Sequence, residues 1–176
     1  MPDILQLGLI GCGRIGKVHA EAAQKVYSAE IARVADIYLE AAQIVGNQYR
    51  VPYSDNHHDI LMDDTIDAVL ICSSTDTHAQ FITEAAKAGK HIFCEKPIHH
   101  DVAEIDKALA AVEEAGVKLM IGFQRRFDSN FMAVKAAIMA GKVGDLQIVK
   151  ITSRDPAPPP VEYIKVSGGL FLDMTI

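Results

Sequence analysis

Residues 5–16 constrain this chain more than any other stretch. Leu5-Gln6-Leu7-Gly8-Leu9-Ile10 is a short apolar run that passes through Gly11-Cys12-Gly13-Arg14-Ile15-Gly16 directly into a segment of helical period. A strand, a glycine turn and a helix joined without spare residues make the opening of a β-α-β unit. In that setting each glycine serves a separate purpose. Gly11 permits the tight turn, Gly13 lets backbone approach a pyrophosphate, and Gly16 lets helix and strand pack closely. Gly13, Arg14, Ile15 and Gly16 bring to the turn the amides that begin a helix. These lack carbonyl partners and stand at the positive end of the helix dipole, which makes them a ready anion site. The same spacing also occurs in plain glycine turns, so later residues must decide.

The alternation continues along the chain. Apolar runs rich in Ile, Val and Leu predict strands over 5–10, 31–35, 68–73, 91–95 and 118–122, with a short one at 51–53. Segments of helical period predict helices over 14–26, 38–47, 77–88 and 102–115. This is βαβαβ repeated: an α/β fold, a doubly wound parallel sheet with right-handed crossovers. Asp101 with Glu104, and Thr77 with Gln80, have the spacing of capping boxes, and Gly116 stands just past a helix end.

An acid closing the second strand completes a dinucleotide fingerprint, and Asp36 stands there after Ile31, Ala32, Val34 and Ala35. Its carboxylate would accept hydrogen bonds from the adenosine ribose, or cap the helix after it. The acid would repel a 2′-phosphate, and Ile37, Tyr38 and Leu39 bring no cation, so NAD is expected rather than NADP. FAD enzymes and methyltransferases also use such a loop with a downstream acid.

After Gly122 the pattern changes to a polar and aromatic stretch, a helix to about residue 140 and a strand-like run over 146–152. We expect residues 1–122 to form a coenzyme domain and 123–176 to begin a second α/β domain that is incomplete, since some fifty residues are too few for a core of their own. Four prolines crowd 155–160, which excludes helix and central strand there.

Composition narrows the partners. Seventeen Lys and Arg against twenty-three Asp and Glu leave a net charge of −6, the wrong sign for nucleic acid or an anionic membrane. The longest apolar runs fall far short of the about 20 residues of a membrane span, and the N-terminus lacks a basic secretory start, so a cytoplasmic address is expected. Cys12, Cys72 and Cys94 have neither an even count nor ligand spacing; we expect three small buried residues, without disulfide or metal.

Glu95-Lys96-Pro97 closes the fifth strand, at the edge where open α/β sheets bind ligands. With this segment the chain resembles the Gfo/Idh/MocA oxidoreductases, most closely their inositol 2-dehydrogenases. The residues that carry the resemblance are the glycine loop, Asp36, Ser73-Ser74-Thr75-Asp76-Thr77-His78, Glu95-Lys96-Pro97, Gly122-Phe123-Gln124-Arg125-Arg126-Phe127-Asp128 and Gly168-Gly169 with Asp173. The resemblance implies an N-terminal Rossmann domain that binds NAD, and a substrate and oligomer domain in chains about twice this long. It implies that Lys96 holds the substrate hydroxyl and that Ser73, Ser74, His78, Glu95 and Gln124 line the nicotinamide side. Arg125, Asp155 and Asp173 would face a polyol, with Lys96 and Asp173 the catalytic pair.

Oxidising an alcohol needs a base for the hydroxyl proton as well as a hydride acceptor. In the family that base is a histidine four residues after the aspartate, here position 177, so these residues alone are expected to bind NAD and turn over little polyol. Among the histidines, His57 and His58 are expected to be solvated, His19 structural, and His99 and His100 loop residues that could approach the cleft. Arg125 and Arg126 fit an anion site or internal pairing equally. A regulatory module that senses NAD without chemistry is the alternative, as is a family member acting on another sugar or oxo compound.

Overall fold

A computed structural model describes residues 4–154 and 157–174. Six strands, β1 (Leu5–Ile10), β2 (Ala29–Ala35), β3 (Tyr53–Ser54), β4 (Ala68–Ile71), β5 (His91–Cys94) and β6 (Leu119–Ile121), form one sheet in the order β3-β2-β1-β4-β5-β6. Every pairing is parallel. The order reverses between β1 and β4, which is the doubly wound arrangement and places the switch point beside the glycine loop.

Helices α1 (Arg14–Ala23) and α2 (Leu39–Tyr49) cover the β1–β2 half of one face, where Leu9, Ala20, Ile31, Val34, Ala42 and Val45 are buried. On the other face α3 (His58–Leu61), α4 (Thr75–Lys87) and α5 (Val102–Ala115) enclose Ile60, Val69, Ile71, Phe81, Ile82 and Ala108. Buried strand positions have to be apolar, and Leu9, Ile10, Ile31, Val34, Val69, Ile71 and Ile92 are, whereas Gln6, Glu30 and Arg33 stand at less buried ones.

Helix ends follow local chemistry. The Asp101 carboxylate accepts from the Ala103 amide at the start of α5, and Gly116 closes that helix in the left-handed conformation at φ 65°. The other half of the expected capping box is not made, because Glu104 accepts from Lys107 and the Asp101 amide donates to His99 Nδ1. α4 begins two residues earlier than its pattern suggested. Its N-cap is Ser74, and Thr77 lies in the first turn, donating to the Ser74 carbonyl. α2 runs to Tyr49 and ends on Arg50 at φ 58°, a left-handed residue that no glycine announces.

α3 was not foreseen: four residues are too few to show a period. Past β6 come a 3₁₀ turn (Gln124–Phe127), α6 (Ser129–Met139), α7 (Val161–Val166) and a π-helical turn (Leu170–Met174). The strand expected over 146–152 is absent. Ile148, Val149 and Ile151 are 86%, 68% and 77% exposed, and a strand without a neighbour has no partner for its amides. No helix among the described residues is long and apolar enough to cross a membrane.

Candidate active site

The backbone ladder continues one residue past each central strand and sets the loops in a row. Gly11 N donates to the Ala35 carbonyl (2.8 Å), Cys72 N to Ile10 (2.7 Å), Glu95 N to Ile71 (3.0 Å) and Gly122 N to Cys94 (2.8 Å). The glycine loop, Asp36, Ser73, Glu95 with Lys96, and Gln124 therefore all emerge at the carboxyl edge of one sheet, as their strand ends require.

The three loop glycines differ in the way their separate purposes demand. Gly11 has φ +99°, and a Cβ there would stand 2.5 Å from the Cys72 carbonyl carbon. A Cβ on Gly16 would stand 2.0 Å from the Gly11 carbonyl oxygen, so helix and turn touch through it. A Cβ on Gly13 would meet nothing within 4 Å. Gly13 is the N-cap of α1 and no side chain caps that end. The amides of Arg14, Ile15 and Gly16 thus begin the helix beside open space, the setting an anionic diphosphate needs. Arg14 is exposed, whereas Ile15 packs against the core below.

Asp36 is part-buried and fixes the loop: Oδ2 accepts from the Cys12 amide (2.7 Å) and Oδ1 from the Tyr38 amide (2.9 Å). Each carboxylate oxygen keeps a lone pair for a further donor. Cys12, Cys72 and Cys94 are buried free thiols, as expected. Burial foremost, with Asp36 beside it, pushes the Cys12 thiol up to about 12, and burial raises the other two further, so none is a nucleophile.

Across the switch point, Ser73 Oγ and Thr77 Oγ1 share a hydrogen bond (2.7 Å), and Ser74 is exposed at the start of α4. His78 is 2% exposed; its Nδ1 lies 2.7 Å from the Pro97 carbonyl and its Nε2 3.2 Å from the Ser73 carbonyl. The ring therefore ties the loops after β4 and β5 to each other. The Lys96-Pro97 peptide is cis.

Glu95 Oε1 lies 2.7 Å from His19 Nε2, and its Oε2 accepts from the Lys96 amide. His19 also rests against the Phe93 ring, centroids 4.8 Å apart. This histidine, expected to be only structural, thus reaches the sheet edge from α1. A lone histidine inside a helix carries no local sign of that contact. Gly122 leaves the room Glu95 occupies, since a Cβ there would lie 3.2 Å from Oε1.

Lys96 Nζ donates to both Asp173 Oδ1 and the Asp173 carbonyl, each at 2.7 Å. Asp173 is 3% exposed, and its Oδ2 accepts from Tyr163 Oη (2.7 Å). Burial, together with the carboxylate it faces, pushes the Tyr163 hydroxyl up to about 12, so it remains a donor. Tyr163 was not anticipated; no spacing rule links it to Asp173 across the glycine pair. Gln124 is exposed and Arg125 half-buried, on the turn after β6. Arg125 lies over the Phe131 ring and Arg126 over Phe123, while Asp128 instead caps α6. Asp155 lies outside the described residues.

The chain matches, over residues 5–123, an oxidoreductase family with an NAD-binding Rossmann fold. It is 49% identical over 172 residues to inositol 2-dehydrogenase of Rhizobium meliloti (strain 1021), covering 98% of this chain and 52% of that protein. Its fold is similar to the crystal structure of a myo-inositol dehydrogenase from Corynebacterium glutamicum (TM-score 0.88, 37% identity, 98% of this chain and 52% of that one). It is also similar to scyllo-inositol dehydrogenase from Lactobacillus casei, solved with NAD(H) and scyllo-inositol (TM-score 0.77, 32% identity, 81% and 43%). The chain spans about half the length of these relatives.

Proposed function

Because the chain belongs to the Gfo/Idh/MocA oxidoreductase family, with its NAD-binding Rossmann fold, we propose that it is the coenzyme-binding part of a dehydrogenase that oxidises a ring hydroxyl of an inositol-like polyol. The observation that carries the reading is the Lys96–Asp173 pair, held at 2.7 Å on the sheet edge that also bears the glycine loop and Asp36. An ammonium and a buried carboxylate joined at that edge are of use to a hydroxyl-bearing substrate and of none to a protein that only senses a nucleotide.

NAD fits the residues present. The diphosphate has the uncapped start of α1 and the open side of Gly13; the adenosine ribose has the spare lone pairs of Asp36. Asp36 repels a 2′-phosphate, and the uncharged Ile37, Tyr38 and Leu39 offer it no cation. When bound, NAD supplies the hydride acceptor. Lys96 can donate to the oxygen of the reacting hydroxyl and stabilise negative charge as its proton leaves. Asp173 holds that ammonium in place and Tyr163 holds the carboxylate. Glu95 with His19, and Ser73, Ser74 and Gln124, border the same edge on the nicotinamide side; Arg125 and Asp155 would meet the polyol.

We extend the proposal to domains and turnover: residues 1–122 carry the coenzyme, residues 123–176 open the substrate and oligomer domain, and these 176 residues alone bind NAD with little oxidation. Calorimetric titration with NAD, paired with an assay of inositol-dependent NADH formation, tests the reading. We expect one NAD site that survives Lys96→Ala and a rate about 10²- to 10⁴-fold below that of a complete enzyme, the usual worth of a general base. No NAD binding, or its loss in Lys96→Ala, would overturn the assignment.

A further inference from the structure

Away from the cleft, two imidazoles and a carboxylate converge where α3 packs on α4. His57 Nε2 lies 2.6 Å from Glu84 Oε2, and the His57 and His58 ring centroids are 4.2 Å apart. One ligand atom from each of these residues lies within 4.8 Å of the other two. Glu84 is ten residues beyond Ser74 on α4, about 15 Å along a helix rising 1.5 Å per residue. The cluster is therefore separate from the coenzyme edge.

The surroundings hold the cluster in place. Gln80 Nε2 donates to Glu84 Oε1 (2.8 Å), leaving Oε2 to face the histidines. The His57 ring packs on Phe81 at 4.4 Å. The turn before α3 is tied by Ser54 donating to Asp59, by the Asn56 amide donating to Ser54 Oγ (3.0 Å) and by the His58 amide donating to Asn56 Oδ1 (3.1 Å). Side-chain exposures of 21% for His57 and 27% for Glu84, with His58 exposed, leave the cluster open to an ion from solvent.

We propose that His57, His58 and Glu84 form a binding site for a divalent transition-metal ion of the zinc kind, bridging α3 to α4. Imidazole is the preferred ligand of zinc, nickel, cobalt and copper, whereas magnesium and calcium take oxygen, so two imidazoles among three ligands select the former. At metal–ligand distances of about 2.0–2.2 Å, tetrahedral ligands stand about 3.3–3.6 Å apart, so the 2.6 Å between His57 Nε2 and Glu84 Oε2 opens by about 1 Å as the ion displaces the proton between them, and the His58 ligand atom, within 4.8 Å of both, closes by at most about 1.5 Å. Rotation of the exposed His58 side chain supplies that. Water fills the remaining position. The inference does not rest on the dehydrogenase reading.

Titration of the purified chain with Zn²⁺, and separately with Mg²⁺, tests it by calorimetry, with Co²⁺ absorption as a second readout. We expect one Zn²⁺ per chain, no Mg²⁺ binding, and visible Co²⁺ bands. His58→Ala and Glu84→Gln should each weaken Zn²⁺ binding at least tenfold and abolish the Co²⁺ bands, with circular dichroism unchanged. These two positions are used because His57 packs on Phe81 and its removal could unsettle the fold. Absence of Zn²⁺ binding, or binding unchanged in either variant, overturns the site as assigned.

Discussion

Gly13→Ala and Gly16→Ala add the same methyl group three residues apart and should have opposite consequences. At position 16 the new Cβ would stand 2.0 Å from the Gly11 carbonyl oxygen, a backbone atom, so α1 or the turn must move by more than 1 Å to accept it. Overpacking of that severity costs about 3 kcal/mol, from which alanine's better helix propensity returns about 1, leaving a loss of about 2 kcal/mol. At about 2–4 °C per kcal/mol for a chain of this size, Tm should fall by about 4–8 °C. At position 13 the Cβ meets nothing within 4 Å, and φ −70° with ψ −165° suits alanine. The cost there is only that of a poorer N-cap, about 0.5–1 kcal/mol. The open space beside Gly13 is, however, where a diphosphate would approach. Displacing one charge-assisted hydrogen bond of about 1.5–3 kcal/mol would weaken NAD about 10- to 100-fold. Thermal unfolding followed by circular dichroism and NAD titration by calorimetry measure both quantities on both variants. If Gly13→Ala is as destabilised as Gly16→Ala, or binds NAD within twofold of the parent, the division of roles between these glycines is wrong.

Asp36→Ala should raise the NAD dissociation constant at least tenfold, since it removes both the proposed ribose acceptor and the anchor of the Cys12 amide; calorimetry on the variant checks this. Ile82→Ala, at a position with no exposed surface, should cost about 2–5 kcal/mol in urea unfolding. The three cysteines should resist alkylation at pH 8 in the native protein and react once unfolded, because burial keeps all three protonated and Cys12 lies near 12. Glu84 binds its proton less readily folded than unfolded, so its contribution is intact above the ordinary carboxyl value of 4.5 and is lost as pH falls below it. Urea unfolding of Glu84→Gln across that acid range should show a shallower decline than the parent.

The sheet was readable because its buried positions had to be apolar, and each glycine or acid at a strand end marked an edge. The five principal strands therefore lie where they were expected, with ends shifted by one or two residues. Thr77 misled because Ser74, three residues earlier, competes for the same N-cap. Arg50 gave no warning because nothing local signals a non-glycine residue in the left-handed region. The run over 146–152 has the alternation of a strand, but alternation only states which face would be buried, and a partner must exist to bury it. Within the site, features set by strand ends, such as the tight turn at Gly11 and the acid at Asp36, could be read in advance. Those made by long side chains across the fold, His19 to Glu95 and Tyr163 to Asp173, could not, since they depend on distances that only the assembled sheet defines.

The double grip of Asp36 on Cys12 and Tyr38 sets a limit on redesign. Accepting a coenzyme with a 2′-phosphate would call for a basic residue in place of this acid. Here that exchange would also release the amide that shapes the glycine turn, so selectivity and loop geometry cannot be retuned separately. A workable redesign would place asparagine at position 36, its single amide oxygen kept for the Cys12 amide and the bond from the Tyr38 amide given up, and introduce the cation at Ile37 or Tyr38, whose side chains already face solvent.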